Sequence, residues 1–297
     1  MPRRIVAIVV LAGVLASCGS TDSAATVNGV AISVSDLERT VTDFAAIGEA
    51  PIVDGAADGE TVRGLLTSLI RAEMTNQVLA DADVAVTDAD RETVRGEFDP
   101  TVAEGVPATL LDLIVELNAA SLALARVKAP AADAVAERYA NNPKSLGMLC
   151  LRHLVVEDES TARTAREELG DAPTDEEFAA VAGEYSIEPN AAESGGSLSG
   201  QSGECISLNE YQAGFDPDFV QGALDARTGI PTEPVQSSFG WHVIFVRPFT
   251  AVSESVSANL NSAPGEFLLL GALADADITV ASRYGRWSPL AGGVVAP

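Results

Sequence analysis

The sequence predicts an α+β fold in two parts, a mainly helical part followed by one built on an antiparallel sheet with surrounding helices. Three observations predict it. Val62, Leu65, Leu66, Leu69, Ile70, Met74, Val78 and Leu79 recur at spacings of three and four, the period of one helix face. After Asn141-Asn142-Pro143 the pattern changes to a strand, three helices and two strands within about 100 residues, an order that closes as an antiparallel sheet. Residues 25–147 contain no histidine and no cysteine, so chemistry belongs to the second part.

The first residues are not read as fold. Met1-Pro2-Arg3-Arg4 is a short cationic head, and Ile5 to Ala16 is an apolar run of about 12 residues. That run is too short for about 30 Å of hydrocarbon and suits a signal-peptide core. It ends in Leu15-Ala16-Ser17-Cys18, which is similar to the lipobox of bacterial lipoproteins. On this reading residues 1–17 are a lipoprotein signal peptide, Cys18 carries lipid, and residues 18–24 are a tether. The protein is then extracytoplasmic and lipid-anchored to the cell membrane. The other reading is an ordinary secretory signal that happens to contain a cysteine.

Charge narrows the partners. Against 18 Lys+Arg stand 43 Asp+Glu, a net charge of −25. No nucleic acid is expected as a partner, because a grip on phosphates needs a basic face. A polybasic contact with anionic lipid is disfavoured for the same reason. Lipidation of Cys18 leaves Cys150 and Cys205 as the only possible pair. Outside the cytoplasm an even remainder points to a disulfide, with two buried free thiols as the alternative. Closing that loop stabilises by about 4 kcal/mol in the chain-entropy treatment.

The helical domain, residues 25–147, opens with a hairpin. Thr26-Val27 and Val30-Ala31-Ile32 flank Asn28-Gly29, a dipeptide that tolerates positive φ at both turn centres. Ser33 caps a helix to about Ile47, and a loop runs from Gly48 to Gly59 before the long apolar helix. Thr87 caps another to Phe98, and Leu110 to Val127 has its stripe at Leu110, Leu113, Ile114, Leu117 and Leu124. Pro130 suits the first turn of a helix to Tyr139.

Residues 148–250 form the second domain. Met148 to Val156 is a strand interrupted by Arg152 and His153, and Ser160 to Leu169 is a helix. Thr174 with Glu177 is a capping box that opens a helix with an apolar face at Phe178, Val181 and Tyr185. A glycine- and serine-rich loop spans Ser194 to Gly203. Asp216-Pro217 starts a short helix carrying Phe219 and Leu224. Glu233 to Gln236 and Trp241 to Val246 are strands.

These residues carry a resemblance. Arg152-His153-Leu154-Val155, Tyr185-Ser186, Gly195-Gly196-Ser197-Leu198, Phe215 to Phe219, Thr228-Gly229 and Phe239-Gly240-Trp241-His242-Val243-Ile244 stand in the order and spacing of a parvulin-type peptidyl-prolyl isomerase domain. The flanks resemble the SurA and PrsA chaperones and foldases, in which a helical chaperone domain is completed by the C-terminal tail. The resemblance implies that residues 251–297 return, with Phe267 to Leu273 as a helix and Ile278 to Val280 and Tyr284 to Trp287 meeting the opening hairpin. It implies a proline cup of Leu198, Phe215 and Phe219, with Phe239 at its rim. It implies catalytic roles for His153, His242 and Glu188, the histidines facing each other behind the cup. No cofactor is implied. A metal held by His153, His242 and Glu188 is disfavoured, since no local spacing offers a ligand pair.

Three departures from the family pattern matter. Glu188 stands where members carry Cys or Asp near the rotating carbonyl. Glu157-Asp158-Glu159-Ser160 replaces the basic cluster of phosphate-directed members and would repel phosphate. The link from Gly200 to Gly214 is long, and a bridge from its Cys205 to Cys150 would pin it near the mouth of the cup. The function implied is an extracytoplasmic foldase that isomerises X-Pro bonds in unfolded or newly exported proteins containing proline. The alternative is a chaperone or scaffold whose domain binds peptides without catalysis. A lipid-anchored solute-binding protein would need two α/β lobes, which the helical first part does not provide.

Overall fold

A computed structural model describes residues 23–53, 55–99, 103–201 and 203–297, so the signal peptide, Cys18 and most of the tether lie outside the described residues. Strands β1 (Ser23–Val27) and β2 (Val30–Ser33) form the hairpin, with Asn28 and Gly29 both at positive φ. Ser23 and Ala24, expected in the tether, already belong to β1 because Ser23 still pairs with Ser33. Ser33 caps α1 (Val34–Ala46) by accepting the Asp36 N–H. The expected loop that follows contains a minimal hairpin, β3 (Ile52–Val53) and β4 (Ala56–Ala57), too short for alternation to show. Asp58 caps α2 (Gly59–Asp81), and a reciprocal Thr87–Asp90 capping box opens α3 (Asp88–Glu97). Then come α4 (Ala108–Leu124) and α5 (Ala132–Asn141). Pro130 precedes the α5 cap instead of sitting in its first turn, because Ala131 is extended with ψ 149°.

A 3-10 turn (Pro143–Leu146) leads into the second part. The expected single strand breaks at Cys150 into β5 (Met148–Leu149) and β6 (Leu151–Val156). Helices α6 (Glu159–Leu169), α7 (Asp175–Tyr185) and α8 (Ala191–Ser194) follow. The link expected as a long loop folds into β7 (Ile206–Ser207), which pairs with β5, and α9 (Leu208–Gly214). Helix α10 (Pro217–Asp225) is capped by Asp216. Strand β8 (Val235–Ser237) starts two residues later than expected, since Pro234 has no N–H for a ladder. Strand β9 (Gly240–Val246) completes an antiparallel sheet of order β6-β9-β8.

The register of that sheet decides what meets what. Leu151, His153 and Val155 oppose Val246, Ile244 and His242, so these six share one face, over which α10 packs Phe219, Val220 and Ala223. Leu154, Val156, Val243 and Phe245 share the other, against Ala162, Ala165, Phe178 and Val181 of α6 and α7.

The tail returns. Helix α11 (Phe249–Ser262), not read from the sequence, leads to α12 (Pro264–Asp275) and β10 (Ile278–Val280), which pairs antiparallel with β1. Strands β11 (Arg286–Ser288) and β12 (Gly293–Val295) form a hairpin whose Val294 N–H donates to Thr67 Oγ1 on α2 at 2.9 Å. The core of the second part reaches past residues 148 and 250. Val135 and Tyr139 of α5 and Val252, Val256 and Leu260 of α11 pack in the same cluster as Leu149, Phe219 and Ile244. Cys150 and Cys205 are disulfide-bonded inside that cluster and fully buried. Among the described residues no helix is long and apolar enough to cross a membrane.

Helix α12 joins the two parts, with Phe267 in the second core and Leu273 in the first. It can approach the 3-10 turn because residue 271 is glycine: a Cβ there would stand 2.1 Å from the Ser145 carbonyl oxygen. Gly271→Ala gains about 1 kcal/mol of helix propensity but overpacks a backbone contact, which costs about 1–3 kcal/mol. Urea unfolding is therefore expected to show net destabilisation for Gly271→Ala. Gly64→Ala on α2, where nothing lies within 4 Å, is expected to be neutral or stabilising.

Candidate active site

One cavity of about 380 Å³ opens on the sheet face that carries both histidines. Every residue expected in the site lines it: His153, Glu188, Leu198, Phe215, Phe219, Phe239 and His242. Phe219 is buried as the floor, its ring 5.4 Å from that of His153 and 5.1 Å from that of His242. Phe215 stacks beside it at 5.8 Å. Phe239 stands on the rim, 72% exposed, at the tip of the two-residue Ser238-Phe239 turn. Asp216 holds that tip over the cup by accepting from the Ser238 N–H at 3.2 Å and its hydroxyl at 2.6 Å. These bonds keep the Asp216 carboxyl below the usual carboxylate range, chiefly through the Ser238 hydroxyl.

Leu198 reaches the cup because the Gly195-Gly196 segment lies flat on β6. The His153 N–H donates to the Gly196 carbonyl at 2.8 Å, and the Leu198 N–H donates to the Leu151 carbonyl at 3.1 Å. Gly196 has φ 70°, and a Cβ there would stand 2.0 Å from the His153 carbonyl oxygen. Only glycine permits that approach.

Hydrogen bonds assign the protons. The Nδ1 atoms of His153 and His242 face each other at 3.3 Å, and His242 Nε2 lies 2.7 Å from Ser237 Oγ. His153 Nε2 is 3.1 Å from Glu188 Oε2, close but not aligned as a hydrogen bond. The imidazole beside it holds the Glu188 carboxyl below its ordinary value, against partial burial. A carboxylate there calls for the proton on His153 Nε2, which makes His153 Nδ1 an acceptor and His242 Nδ1 a donor. Ser237 then donates to His242 Nε2 while its oxygen accepts the Phe239 N–H at 3.0 Å. Burial, and then repulsion between the two imidazoles if both take a proton, push His242 down to about 4. The imidazoles spend Nδ1 on each other, and among the described residues no three His, Cys, Asp or Glu side chains converge to hold a metal ion.

The sequence reading missed Val155, Ile187, Pro189 and Asp216 as lining residues, and Ser237 as the partner of His242. Val155 follows from alternation with His153, and Ile187 and Pro189 flank Glu188. Ser237 had no local signal, since its position depends on the hairpin turn. The disulfide pins the link beside the first strand, as expected, with β7 paired to β5, and both cysteines lie in the core and do not line the cavity.

Residues 155–247 match the rotamase family, described as the PPIC-type PPIase domain. The chain carries a parvulin-type domain. The foldase protein PrsA of Clostridium kluyveri is 32% identical over 133 residues, 42% of this chain and 35% of that protein. PrsA 4 of Bacillus cereus is 36% identical over 96 residues, 32% of this chain and 30% of that protein. The chain spans about a third of the length of the curated relatives it matches. The crystal structure of PrsA from Bacillus subtilis is similar at 18% identity with a TM-score of 0.28, covering 87% of this chain and 95% of that one.

The His242 assignment has a consequence for acid stability. The unfolded imidazole titrates near its ordinary 6.5 and the folded one at about 4. Between those values the unfolded chain binds more protons, so stability is fully present above about pH 6.5 and is lost as pH falls toward about 4. Urea midpoints measured from pH 7 to 4 are expected to fall in that window. His242→Gln is expected to flatten that part of the profile.

Proposed function

We propose that this protein is an extracytoplasmic foldase that isomerises X-Pro bonds in unfolded or newly exported proteins, with its helical part acting as a chaperone and Cys18 carrying a lipid anchor. The observation that carries the reading is the apolar cup backed by the paired histidines and flanked by an ionised Glu188. The similarity to PrsA foldases supports the setting outside the cytoplasm.

Rotation about X-Pro crosses a barrier of about 18–20 kcal/mol because the amide loses resonance, and no covalent bond breaks. In the twisted state the carbonyl oxygen loses conjugation with nitrogen. Leu198, Phe215 and Phe219 hold the proline ring with water excluded, and Phe239 closes over it. The Glu188 carboxylate repels a planar carbonyl oxygen and so favours the twisted amide. The hydrogen-bonded histidine pair holds His153 Nε2 3.1 Å from Glu188 Oε2 and so keeps an imidazole beside that charge.

A protease-coupled assay on the soluble mature chain tests this. Wild-type protein is expected to accelerate isomerisation. His153→Ala and His242→Ala are each expected to reduce turnover, with the double variant little worse than either, since the pair acts as a unit. Glu188→Gln is expected to lower turnover and Glu188→Asp to keep it. Phe219→Ala should weaken proline binding by about 2–4 kcal/mol, with circular dichroism checking the fold because Phe219 is also core. Peptide binding with no rate above the uncatalysed one would leave only a peptide-binding chaperone.

The anchor is tested separately. Cys18→Ala is expected to move the protein from the detergent phase to the aqueous phase in a phase-partition assay. Unchanged partition would remove the lipid from the reading.

A further inference from the structure

A largely buried ionic chain runs behind the sheet face that carries the cup. Arg152 stands next to His153 on β6, but its side chain points to the opposite sheet face. Its Nη1 donates to the carbonyl oxygens of Ser194 at 2.9 Å and Gly195 at 3.1 Å, and its Nη2 to Asp175 Oδ2 at 2.8 Å. Asp175, at the start of α7, also receives Arg247 Nε at 2.8 Å and Nη2 at 3.0 Å. Arg247 in turn pairs with Glu204, which accepts from Ser255 on α11 at 2.7 Å. Burial alone would raise the Asp175 carboxyl, but the two guanidinium groups bring it below its ordinary value. A buried ion pair adds little net stability, so its value here is geometric.

What Arg152 grips is the turn that leads into the cup wall. Ser194 and Gly195 are followed directly by Gly196, whose carbonyl takes the His153 N–H, and by Leu198, which lines the cavity. Without the guanidinium, the turn keeps the bonds of its own short helix α8, the β6 contacts and close packing on Ala179 and Ala182 of α7, but loses the one side chain that binds the Ser194 and Gly195 carbonyls. Resting on the isomerase reading above, we infer that Arg152 is a positioning residue for substrate: it clamps the 194–196 turn and thereby keeps Leu198 against the proline ring. Arg152 touches no substrate. Its planar fork serves two carbonyls and a carboxylate at once, a geometry an ammonium group does not reproduce.

The role separates binding from turnover, because the side chains of His153, His242 and Glu188 hold one another without Arg152, and the clamped turn meets His153 through its backbone N–H. Leu198→Ala is expected to raise KM for a proline tetrapeptide about tenfold with kcat within about twofold. Arg152→Lys is expected to raise KM about fivefold in the same way, and the double variant should match Leu198→Ala alone, because both act through one side chain. The Kd of the same peptide, followed by NMR titration, should move in parallel. It reads the clamp even if turnover is absent, so failure of the isomerase reading is distinguishable from failure of the clamp. If Arg152→Lys does not fold, Asp175→Asn keeps the cation, removes the carboxylate that aims it, and carries the same expectation. Multiplying effects in the double variant, loss of kcat with unchanged KM, or an unchanged Kd in a folded variant would each overturn the clamp.

Discussion

The antiparallel register of β6 against β9 is the constraint on which the rest of the molecule depends. Val155 opposite His242 and His153 opposite Ile244 put the two imidazoles diagonally on one face, within reach of each other. Side chains alternate with period two, so a slip of one residue would turn His153 into the α6–α7 core and aim Arg152 at the cup. Both faces are buried, one by α10 and the other by α6 and α7, and that double burial makes a slip expensive. The alternation also explains how neighbours in sequence serve different ends: His153 faces substrate space while Arg152 anchors the wall from behind.

Charge placement follows from the same sheet. The cup is apolar on its floor, and among the described residues the carboxylates that line it are Glu188 and Asp216. Asp216 is consumed by capping α10 and holding Ser238, which leaves Glu188 as the carboxylate with an oxygen free to act on a carbonyl dipole. The histidine pair tolerates burial because each inward nitrogen has the other as its partner and His242 is held from taking a second proton. Cations near the site, Arg152 and Arg247, lie on the far face or at the end of the sheet, neutralised by Asp175 and Glu204. The result is an apolar floor with two carboxylates at its wall, Glu188 beside His153 and Asp216 tied to Ser238.

The two parts of the chain are bound by shared core more than by a linker. Helices α5 and α11 pack on the parvulin-type domain, and α12 contributes to both clusters. The disulfide lies inside this shared region and joins the start of β6 to the β7 segment. The Glu204–Ser255 contact adds a polar tie from the same segment to α11. Any chaperone role of the helical part is therefore built on a body mechanically continuous with the cup.

The sequence alone determined the features that rest on short-range rules. Asn28-Gly29 dictated a type I′ turn, Ser33, Thr87 and Thr174 dictated helix starts, and the three-and-four spacing dictated α2, because each depends only on neighbours a turn away. Through the resemblance to the parvulin family, two histidines, a Gly-Gly-Ser-Leu segment and three phenylalanines pointed to residues that line one cavity. Tertiary structure decided what depends on distant pairing. Helix α11 carries the same local signal, Val252, Val256 and Leu260 at a spacing of four, whereas β7 was illegible because two residues show no alternation. Ser237 became a partner of His242 only through the hairpin register, and Arg152 met Ser194, 42 residues away, only once the loop had folded onto β6. Such contacts are set by packing and register, which bring together residues that local propensity cannot relate.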